Sequence, residues 1–242
     1  MKIDILAFGA HPDDVELGCS GVLMMEKLQG KKTGVIDLTM GELGTRGSAE
    51  IRFTESIAAT AVMQLDVRDN LKLADGFFQN DKAHQLEVIW AIRKYQPEII
   101  LCNAPSDRHP DHGRGHKLLQ EASFFAGLRK IETLDNGTIQ ASWKPKYVLS
   151  YIQDRYLQPN FVYDITQVMD RKIEAIKAYG TQFNSSGSSE PQTYISTPDF
   201  LDSIIYRAKM LGKMIGVPYA EGLISDKMIG LSSFDALVKN VT

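Results

Sequence analysis

Apolar residues recur along the first half of the chain in short runs, and each run is followed by a stretch of helical spacing. Four runs predict buried strands: Lys2–Gly9, Thr33–Thr39, Val67–Leu73 and Glu98–Cys102. The stretches that follow predict helices: Val15–Leu28, Ala49–Leu65, one through Leu86, Ile89 and Trp90, and His116–Gly127. This alternation predicts an α/β fold that is Rossmann-like, with a mostly parallel sheet and helices on both faces.

The second half of the chain continues the pattern less regularly. Strands are expected at Lys146–Ile152 and Phe161–Ile165, with a helix at Gln167–Tyr179, and helical spacing returns over residues 201–215. Between them, residues 184–192 are rich in Ser, Gly and Pro, which predicts either a plain surface loop or a lid over an active site. No repeat or linker divides the sequence, so we expect residues 1–242 to form a single domain.

The composition excludes several classes of function. With 27 Lys and Arg against 30 Asp and Glu, the net charge of −3 gives no basic surface for nucleic acid or for a membrane. No apolar run approaches the roughly 18 residues that span a bilayer, so we expect a cytoplasmic protein. The two cysteines, Cys19 and Cys102, are far apart in sequence and are expected to be reduced and buried.

Histidine and aspartate cluster directly after two of the predicted strands. His11-Pro-Asp-Asp14 follows the first strand, and Asp107-Arg-His-Pro-Asp-His112 follows the fourth. In a doubly wound sheet of order 3-2-1-4 these two strands are neighbours, and ligands bind beyond their carboxyl ends. Imidazole and carboxylate groups are ligands of Zn²⁺, so the two clusters predict a mononuclear site made of two histidines and one carboxylate.

Each part of this pattern also has a purely structural interpretation. Asp13 and Glu16 have the spacing of a capping box that begins a helix. His84 and His116 are interpreted as ordinary hydrogen-bonded residues. His112 and His116 are four residues apart, but no Glu follows His112, as the helical zinc-protease motif requires.

Four segments together resemble one known family, the PIG-L (LmbE-like) zinc-dependent N-deacetylases. They are His11-Pro-Asp-Asp14, Thr39-Met-Gly-Glu-Leu-Gly44 with Arg52 and Glu55 downstream, His109-Pro-Asp-His112, and Tyr219-Ala-Glu-Gly222. The overall pattern is most similar to the bacterial deacetylases of bacillithiol biosynthesis, which act on N-acetylglucosaminyl-malate. Relatives with the same metal loops deacetylate other N-acetylglucosamine conjugates.

The resemblance implies roles that the residues alone do not separate. It implies His11, Asp14 and His112 as ligands of Zn²⁺, with Fe²⁺ as an alternative metal. It also implies Asp13 as general base and His109 as the residue that faces the reacting carbonyl, where a protonated imidazole would stabilise the oxyanion. The sequence leaves open whether Asp13 or His109 protonates the departing amine.

Three further expectations concern the surroundings of this site. Asp111 is either a carboxylate that orients a metal-bound imidazole or a turn residue. Arg52 and Arg108 are candidate partners for the substrate carboxylates, since a guanidinium binds a carboxylate in bidentate fashion, although Arg52 could instead lie on a solvated helix face. A small-molecule glycoside is the expected partner, and relatives of this kind often form trimers or hexamers, so we expect a homo-oligomer.

Two other classes of function remain as alternatives. Clusters of His and Asp at strand ends also build phosphoesterase centres, but these usually hold two metals and need more ligands than the two loops offer. A non-catalytic nucleotide-binding module is compatible with the fold class. However, the first strand leads into Phe8-Gly-Ala-His-Pro-Asp13 rather than a glycine-rich phosphate loop, and an acidic loop repels pyrophosphate.

Overall fold

Strands and helices alternate through the first half of the protein, as the sequence pattern predicts. The structure is a computed structural model that describes residues 1–183 and 189–237. The elements of this half are β1 (Ile5–Gly9), α1 (Asp14–Gly18), α2 (Ser20–Leu28), β2 (Thr33–Thr39), α3 (Ala49–Met63), β3 (Val67–Leu73), α4 (Lys82–Tyr95), β4 (Ile99–Cys102) and α5 (Pro110–Ala126). The predicted strands at residues 33–39 and 67–73 are therefore confirmed to the residue.

The second half adds three strands to the same sheet. Its elements are β5 (Leu134–Asp135), β6 (Thr138–Ile139), β7 (Tyr147–Tyr151), β8 (Phe161–Asp164), α6 (Met169–Lys177), α7 (Gly180–Phe183), α8 (Pro198–Met214) and β9 (Ala220–Ser225), with short 3₁₀ turns at Thr166–Val168, Tyr194–Ser196 and Phe234–Leu237. Strand β9 was not predicted from the apolar pattern. It pairs antiparallel with both β7 and β8.

The main sheet of the described residues has the strand order β3-β2-β1-β4-β7-β9-β8. Strands β3, β2, β1, β4 and β7 are parallel, which confirms the predicted order 3-2-1-4 and the mostly parallel sheet. Strands from both halves of the chain share this sheet, so the described residues form a single domain.

Helices cover both faces of the sheet and form two cores. Alternate residues of β1 point to opposite faces: Leu6 and Phe8 join one apolar cluster with α4 and α5, whereas Ile5 and Ala7 join another with α2, α3, α6 and α8. This alternation follows from the pleat of a strand. Both predicted thiols, Cys19 and Cys102, are free and buried in these cores.

Two predicted helix boundaries are wrong. The helix expected at residues 15–28 is interrupted at Cys19, where φ is −150° and ψ is 16°. The helix expected to begin at His116 begins at Pro110, because proline is favoured in the first turn, where its missing N–H costs no hydrogen bond. As a result His112 lies in the first turn of α5 rather than in a loop.

The topology brings the two His/Asp segments together. Strands β1 and β4 pair in parallel, with Ala7 opposite Leu101, so their carboxyl ends lie side by side. Of the polar stretch 184–192, which we expected to be a loop or a lid, residues 184–188 lie outside the described residues. Among the helices that the structure describes, none has the length and apolar character needed to cross a bilayer.

Candidate metal and catalytic site

Three imidazoles meet at the carboxyl edge of the sheet. The ring centroids of His11 and His109 are 4.6 Å apart, those of His109 and His112 are 5.3 Å apart, and those of His11 and His112 are 5.8 Å apart. One nitrogen of each ring lies within 4.8 Å of the others. This limit is close to the separation of two nitrogens on one zinc ion, which is at most about 4.2 Å because each metal–nitrogen bond is about 2.0–2.1 Å long.

Asp14 lies between two of these imidazoles. Its Oδ2 is 3.6 Å from Nδ1 of His11, and its Oδ1 is 3.1 Å from Nε2 of His112. Amide groups hold the same carboxylate: Asn103 donates to Oδ2 at 3.0 Å, and Gln153 donates to Oδ1 at 2.9 Å. The structure therefore brings together His11, Asp14 and His112, the residues expected as metal ligands.

His11 and His112 each have one ring nitrogen in contact with a carboxylate on the side away from Asp14. Nε2 of His11 is 3.0 Å from Oδ1 of Asp75 and 3.4 Å from Oδ2 of Asp111, while Nδ1 of His112 is 2.6 Å from Oδ2 of Asp107. In the neutral tautomers whose protons on these nitrogens go to the carboxylates, the lone pairs belong to Nδ1 of His11 and Nε2 of His112, on the side of Asp14. The orienting role expected for Asp111 fits this geometry.

The charges in the site favour a cation. Asp13, Asp14, Asp75, Asp107 and Asp111 place five carboxylates around the imidazoles, and the guanidinium groups that contact them belong to Arg52 and Arg114. Although burial lowers the pKa of His112, its contacts with Asp14 and Asp107 raise that pKa to about 9. The same excess of negative charge would bind a divalent metal, and the nitrogen and oxygen donors suit one such as zinc or iron.

Asp13 adopts a conformation that sets it apart from its neighbour. Its φ of 119° lies in the left-handed region, which is strained for any residue except glycine. Its side chain makes no helix-capping hydrogen bond, so the capping-box interpretation of Asp13 and Glu16 is wrong. Instead, Oδ2 of Asp13 accepts a hydrogen bond of 2.8 Å from Nη2 of Arg52. The two adjacent acids therefore face different partners.

The electrostatics of Asp13 suit a group that exchanges a proton near neutral pH. Burial raises the pKa of this carboxyl to about 7, although the positive charge of Arg52 opposes the rise and the negative charge of Asp14 adds to it. A base with a pKa close to the working pH is the most effective general acid–base catalyst. Although burial raises the pKa of Asp14, the charge of His112 and the hydrogen bonds from both imidazoles hold that pKa well below its usual value, so Asp14 stays charged while Asp13 is suited to proton transfer.

His109 occupies the boundary between the imidazole cluster and the pocket. It precedes α5 as its N-cap residue, and its Nδ1 accepts a hydrogen bond of 3.3 Å from the backbone N–H of Asp111. Burial, together with the positive charges of His11 and His112, lowers the pKa of His109. This direction disfavours the protonated imidazole that we expected to stabilise the oxyanion.

A pocket of about 300 Å³ opens in front of these groups. Its polar lining includes Arg108, whose Nε is 3.0 Å from Oδ2 of Asp154 and whose guanidinium lies 4.5 Å from the centre of the Tyr194 ring. It also includes Arg207, which donates from Nη1 to the carbonyl of Gln153 and whose pKa is lowered by burial. A molecule in this pocket would therefore meet the guanidinium groups of Arg108 and Arg207 in addition to that of Arg52.

The position of Arg52 excludes one of its two expected roles. It lines the pocket but is buried rather than solvated, and its guanidinium is paired with Asp13. The alternative of a solvated helix face is therefore wrong. Of the remaining histidines, His84 contacts Asp81, and His116 contacts Ser150, so both lie in ordinary hydrogen bonds outside the cluster.

Several residues of the site were not predicted from the sequence: Asp75, Asn103, Gln153 and Arg207. A signal for three of them was present. Asn103 comes directly after β4, and Asp75 and Gln153 come two residues after the ends of β3 and β7, so all three lie at carboxyl ends of parallel strands. Polar residues there point towards the ligand-binding edge of the sheet.

Comparison with known proteins adds independent information. A model of the PIG-L family, described as GlcNAc-PI de-N-acetylase, matches residues 6–123. The diacetylchitobiose deacetylase of Thermococcus kodakarensis is 27% identical over 229 residues, which cover 90% of this chain and 81% of that protein. Residues 6–123, which the family model matches, include β4 and both His/Asp segments.

Two solved structures share the fold. The conserved protein TT1542 from Thermus thermophilus is 30% identical, with a TM-score of 0.84 over 95% of this chain and 98% of its own. GalB, the 4-carboxy-2-hydroxymuconate hydratase from Pseudomonas putida, is 21% identical, with a TM-score of 0.77 over 96% of this chain and 99% of its own, which shows the fold alone. Because this fold also occurs in a hydratase, the reaction has to be argued from the site. The family match and the similarity to the Thermus protein over nearly its full length show that the chain belongs to the PIG-L family.

Proposed function

We propose that this protein is a metal-dependent N-deacetylase that removes the acetyl group from an N-acetylglucosamine conjugate. One observation carries the proposal: Asp14 lies between His11 and His112, while the adjacent Asp13 faces Arg52 and the pocket. In this arrangement His11, Asp14 and His112 would serve as metal ligands and Asp13 as a separate proton acceptor, which together are the requirements of hydrolysis by an activated water molecule. The similarity to a diacetylchitobiose deacetylase supports the same class of reaction.

The ligands of the proposed metal are Nδ1 of His11, a carboxylate oxygen of Asp14 and Nε2 of His112. A bound Zn²⁺, or Fe²⁺, would supply Lewis acidity towards a water molecule and towards the acetyl carbonyl oxygen. The protein's part is to hold these three donors in place through Asp75, Asp107 and the amides around Asp14.

Asp13 serves as the general base. Because Arg52 occupies its Oδ2, the proton of the attacking water passes to Oδ1. The water oxygen forms a bond to the acetyl carbon, and the carbon–nitrogen bond then breaks. The departing nitrogen takes a proton either from Asp13 or from His109, which also lines the pocket. The products are acetate and a free glucosamine amine.

For the substrate we propose N-acetyl-α-D-glucosaminyl L-malate, the conjugate used in bacillithiol biosynthesis. Its malate group carries two carboxylates, and the pocket offers the guanidinium groups of Arg108 and Arg207. Charge-assisted hydrogen bonds from guanidinium to carboxylate are among the strongest in proteins. We propose that Arg52 binds Asp13 rather than the substrate, because its Nη2 is already 2.8 Å from Oδ2 of Asp13.

Two expectations from the sequence remain part of the proposal. We propose that the protein acts in the cytoplasm and that it assembles into a trimer or hexamer. Its partner is a small glycoside rather than nucleic acid or a membrane, in agreement with the net charge of −3.

The test compares N-acetylglucosaminyl-malate with plain N-acetylglucosamine, each with and without a chelator, by measuring the free amine released. We expect amine from the malate conjugate, its loss with chelator and its return on adding Zn²⁺ or Fe²⁺. Acetate and phosphate release are measured side by side on acetylated and phosphorylated sugars, which separates the deacetylase from a phosphoesterase. Release of phosphate alone, or amine formation that chelator leaves unchanged, contradicts the proposal.

A further inference from the structure

The segment that carries Asp14 ends in a broken helix. In a continuous helix the N–H of Gly21 would bond to the carbonyl of Leu17, four residues earlier. Here α1 ends at Gly18 and α2 begins at Ser20, so carbonyls at the end of α1 and N–H groups at the start of α2 lose their helical partners. The break lies deep in the protein, where such groups need other partners.

A buried lysine satisfies the carbonyl side of the break. Nζ of Lys172, on α6, donates to the carbonyl of Glu16 at 2.9 Å and to the carbonyl of Leu17 at 2.9 Å. Only 1% of this residue is exposed. A cation is the favourable partner here, because a helix ends in a partial negative charge.

A buried glutamate satisfies the N–H side. Oε1 of Glu221, on β9, accepts from the backbone N–H of Gly21 at 3.0 Å, and its Oε2 accepts from that of Val22 at 2.8 Å. The lysine and the glutamate also pair with each other, with Nζ 2.6 Å from Oε1. The missing bond from Gly21 to Leu17 is thus replaced by a bridge through two charged side chains. Glu221 belongs to the Tyr219-Ala-Glu-Gly222 segment, whose role the proposed mechanism leaves unassigned.

The bridge contacts the end of α1, the helix that begins at the proposed metal ligand Asp14. Helix α1 is five residues long, begins at Asp14 and follows the strained backbone of Asp13, so it has too few internal hydrogen bonds to fix its own direction. Its other end packs tightly: a Cβ at Gly18 would lie 2.2 Å from the Tyr151 ring. The direction of α1, and with it the carboxylate of Asp14, therefore depends on contacts from outside the helix. These are the packing of Gly18 on Tyr151, the pairing of Glu16 with Arg68 and Tyr179, and the donors to its last carbonyls, which are Lys172 and the Ser20 hydroxyl.

We propose that Lys172 and Glu221 are positioning residues that hold α1 at the helix break. They thereby keep the carboxylates of Asp13 and Asp14 in position relative to His11 and His112. This inference rests on the proposed metal site. Removing the pair should weaken metal binding and slow turnover without changing how substrate binds. Neither residue belongs to the imidazole cluster or lines the pocket in front of it.

The test uses Lys172→Met, which keeps an unbranched side chain one atom shorter and removes its charge. Arg93→Met is the matched control. Arg93 is also buried and donates to carbonyls at the end of a helix, at 3.1 Å to Ala126 and 2.9 Å to Leu128, but it lies at the far end of α5 from His112. Both variants lose stability, so stability alone does not distinguish them. Zinc affinity is measured by competition with a chelator, and kcat and KM are measured separately.

We expect Lys172→Met to weaken zinc binding at least about tenfold relative to Arg93→Met, the range seen when groups that orient metal ligands are removed. Its kcat should fall while KM stays within about twofold. Hydrogen exchange should show loss of protection at the Gly21 and Val22 amides, a readout independent of the metal. Equal zinc affinity and equal kcat in the two folded variants would overturn the inference.

Two further variants keep the test decisive if Lys172→Met does not fold. Glu221→Gln keeps the shape but removes the charge and one of the two oxygens that accept from the Gly21 and Val22 amides, so it should also weaken zinc binding. The double variant Lys172→Met with Glu221→Gln removes the unpaired buried charge, so its stability should recover while its zinc affinity stays low. Recovery of both together would assign the pair to stability alone. If the unaltered protein binds no zinc, the proposed function fails, and the exchange measurement alone decides the role of the bridge.

Discussion

The two segments that build the site differ in how tightly the protein encloses them. In the segment after β1, His11, Asp13 and Asp14 are 8%, 4% and 3% exposed, and the backbone of Asp13 is strained. In the segment after β4, His112 is buried but His109 is only half-buried, and 46% of the Arg108 side chain is exposed. One segment is locked inside the fold, and the other faces the pocket.

This difference separates two tasks. Holding a cation requires ligands that do not move, and the first segment is fixed by Arg52, Asp75 and the amides on Asp14. Meeting a substrate requires groups that solvent can reach, and the second segment provides Arg108 and His109 at the wall of the pocket. His112 takes part in both tasks, because it lies in the first turn of α5, in the second segment, and its Nε2 is 3.1 Å from Oδ1 of Asp14 in the first.

The largest effect is expected from His112→Ala, which removes the proposed metal ligand that comes from the segment after β4. We expect loss of bound metal and activity reduced to the uncatalysed level. His116→Ala is the matched control, since it lies one helical turn further along α5 and contacts Ser150 instead. Metal content and amine release are measured on both purified variants. Full metal in His112→Ala would show that the two segments do not share an ion.

Asp13→Asn should have the next largest effect. The amide cannot accept the proton of water, so we expect kcat to fall by about 10²- to 10⁴-fold, the usual contribution of a general base. Metal should remain bound, because Asp14 and the imidazoles are unchanged. Metal analysis and turnover are measured on the same sample. If the variant lost metal but kept its turnover per bound ion, Asp13 would be the metal ligand and Asp14 the general base.

Substitution of the carboxylates that contact His11 and His112 shows whether the two imidazoles are held equally well. His11 contacts both Asp75 and Asp111, whereas His112 relies on Asp107 at 2.6 Å. Asp107→Asn should therefore weaken metal binding by about 10- to 100-fold, and Asp75→Asn should weaken it less. Chelator competition gives both affinities. An equal loss in the two variants would mean that the second carboxylate on His11 adds no support.

The smallest effect is expected from Arg108→Ala at the exposed wall. Loss of one charge-assisted hydrogen bond should raise KM for the malate conjugate by about tenfold and leave plain N-acetylglucosamine unaffected. Arg155→Ala is the control, because that exposed side chain donates to Ser106 and does not line the pocket. Steady-state kinetics on both substrates decide the matter. Equal losses on the two substrates would remove the carboxylate-binding role of Arg108.

Local pattern was sufficient to predict much of this molecule. The strands at residues 33–39 and 67–73 follow from short runs of strand-forming residues, and the order of the first four strands follows from their alternation with helices. From that order alone, the His/Asp segments after β1 and β4 could be placed in one crevice. The resemblance to a family then distinguished Asp13 from Asp14.

Tertiary structure decided what the chemistry-bearing residues touch. The sequence offered Arg52 as a substrate contact, but packing pairs it with Asp13, 39 positions away. Likewise Glu221 reaches the amide of Gly21 across 200 positions, from an antiparallel strand, β9, that the apolar pattern did not predict.

The physical reason is the range of the interactions. Periodicity and turn preferences act within a few residues of the chain, so the order of the amino acids determines helices, strands and the polar groups at their ends. The partner of a buried charge depends on which distant side chains the completed core brings within about 3 Å, and only the folded protein determines that distance.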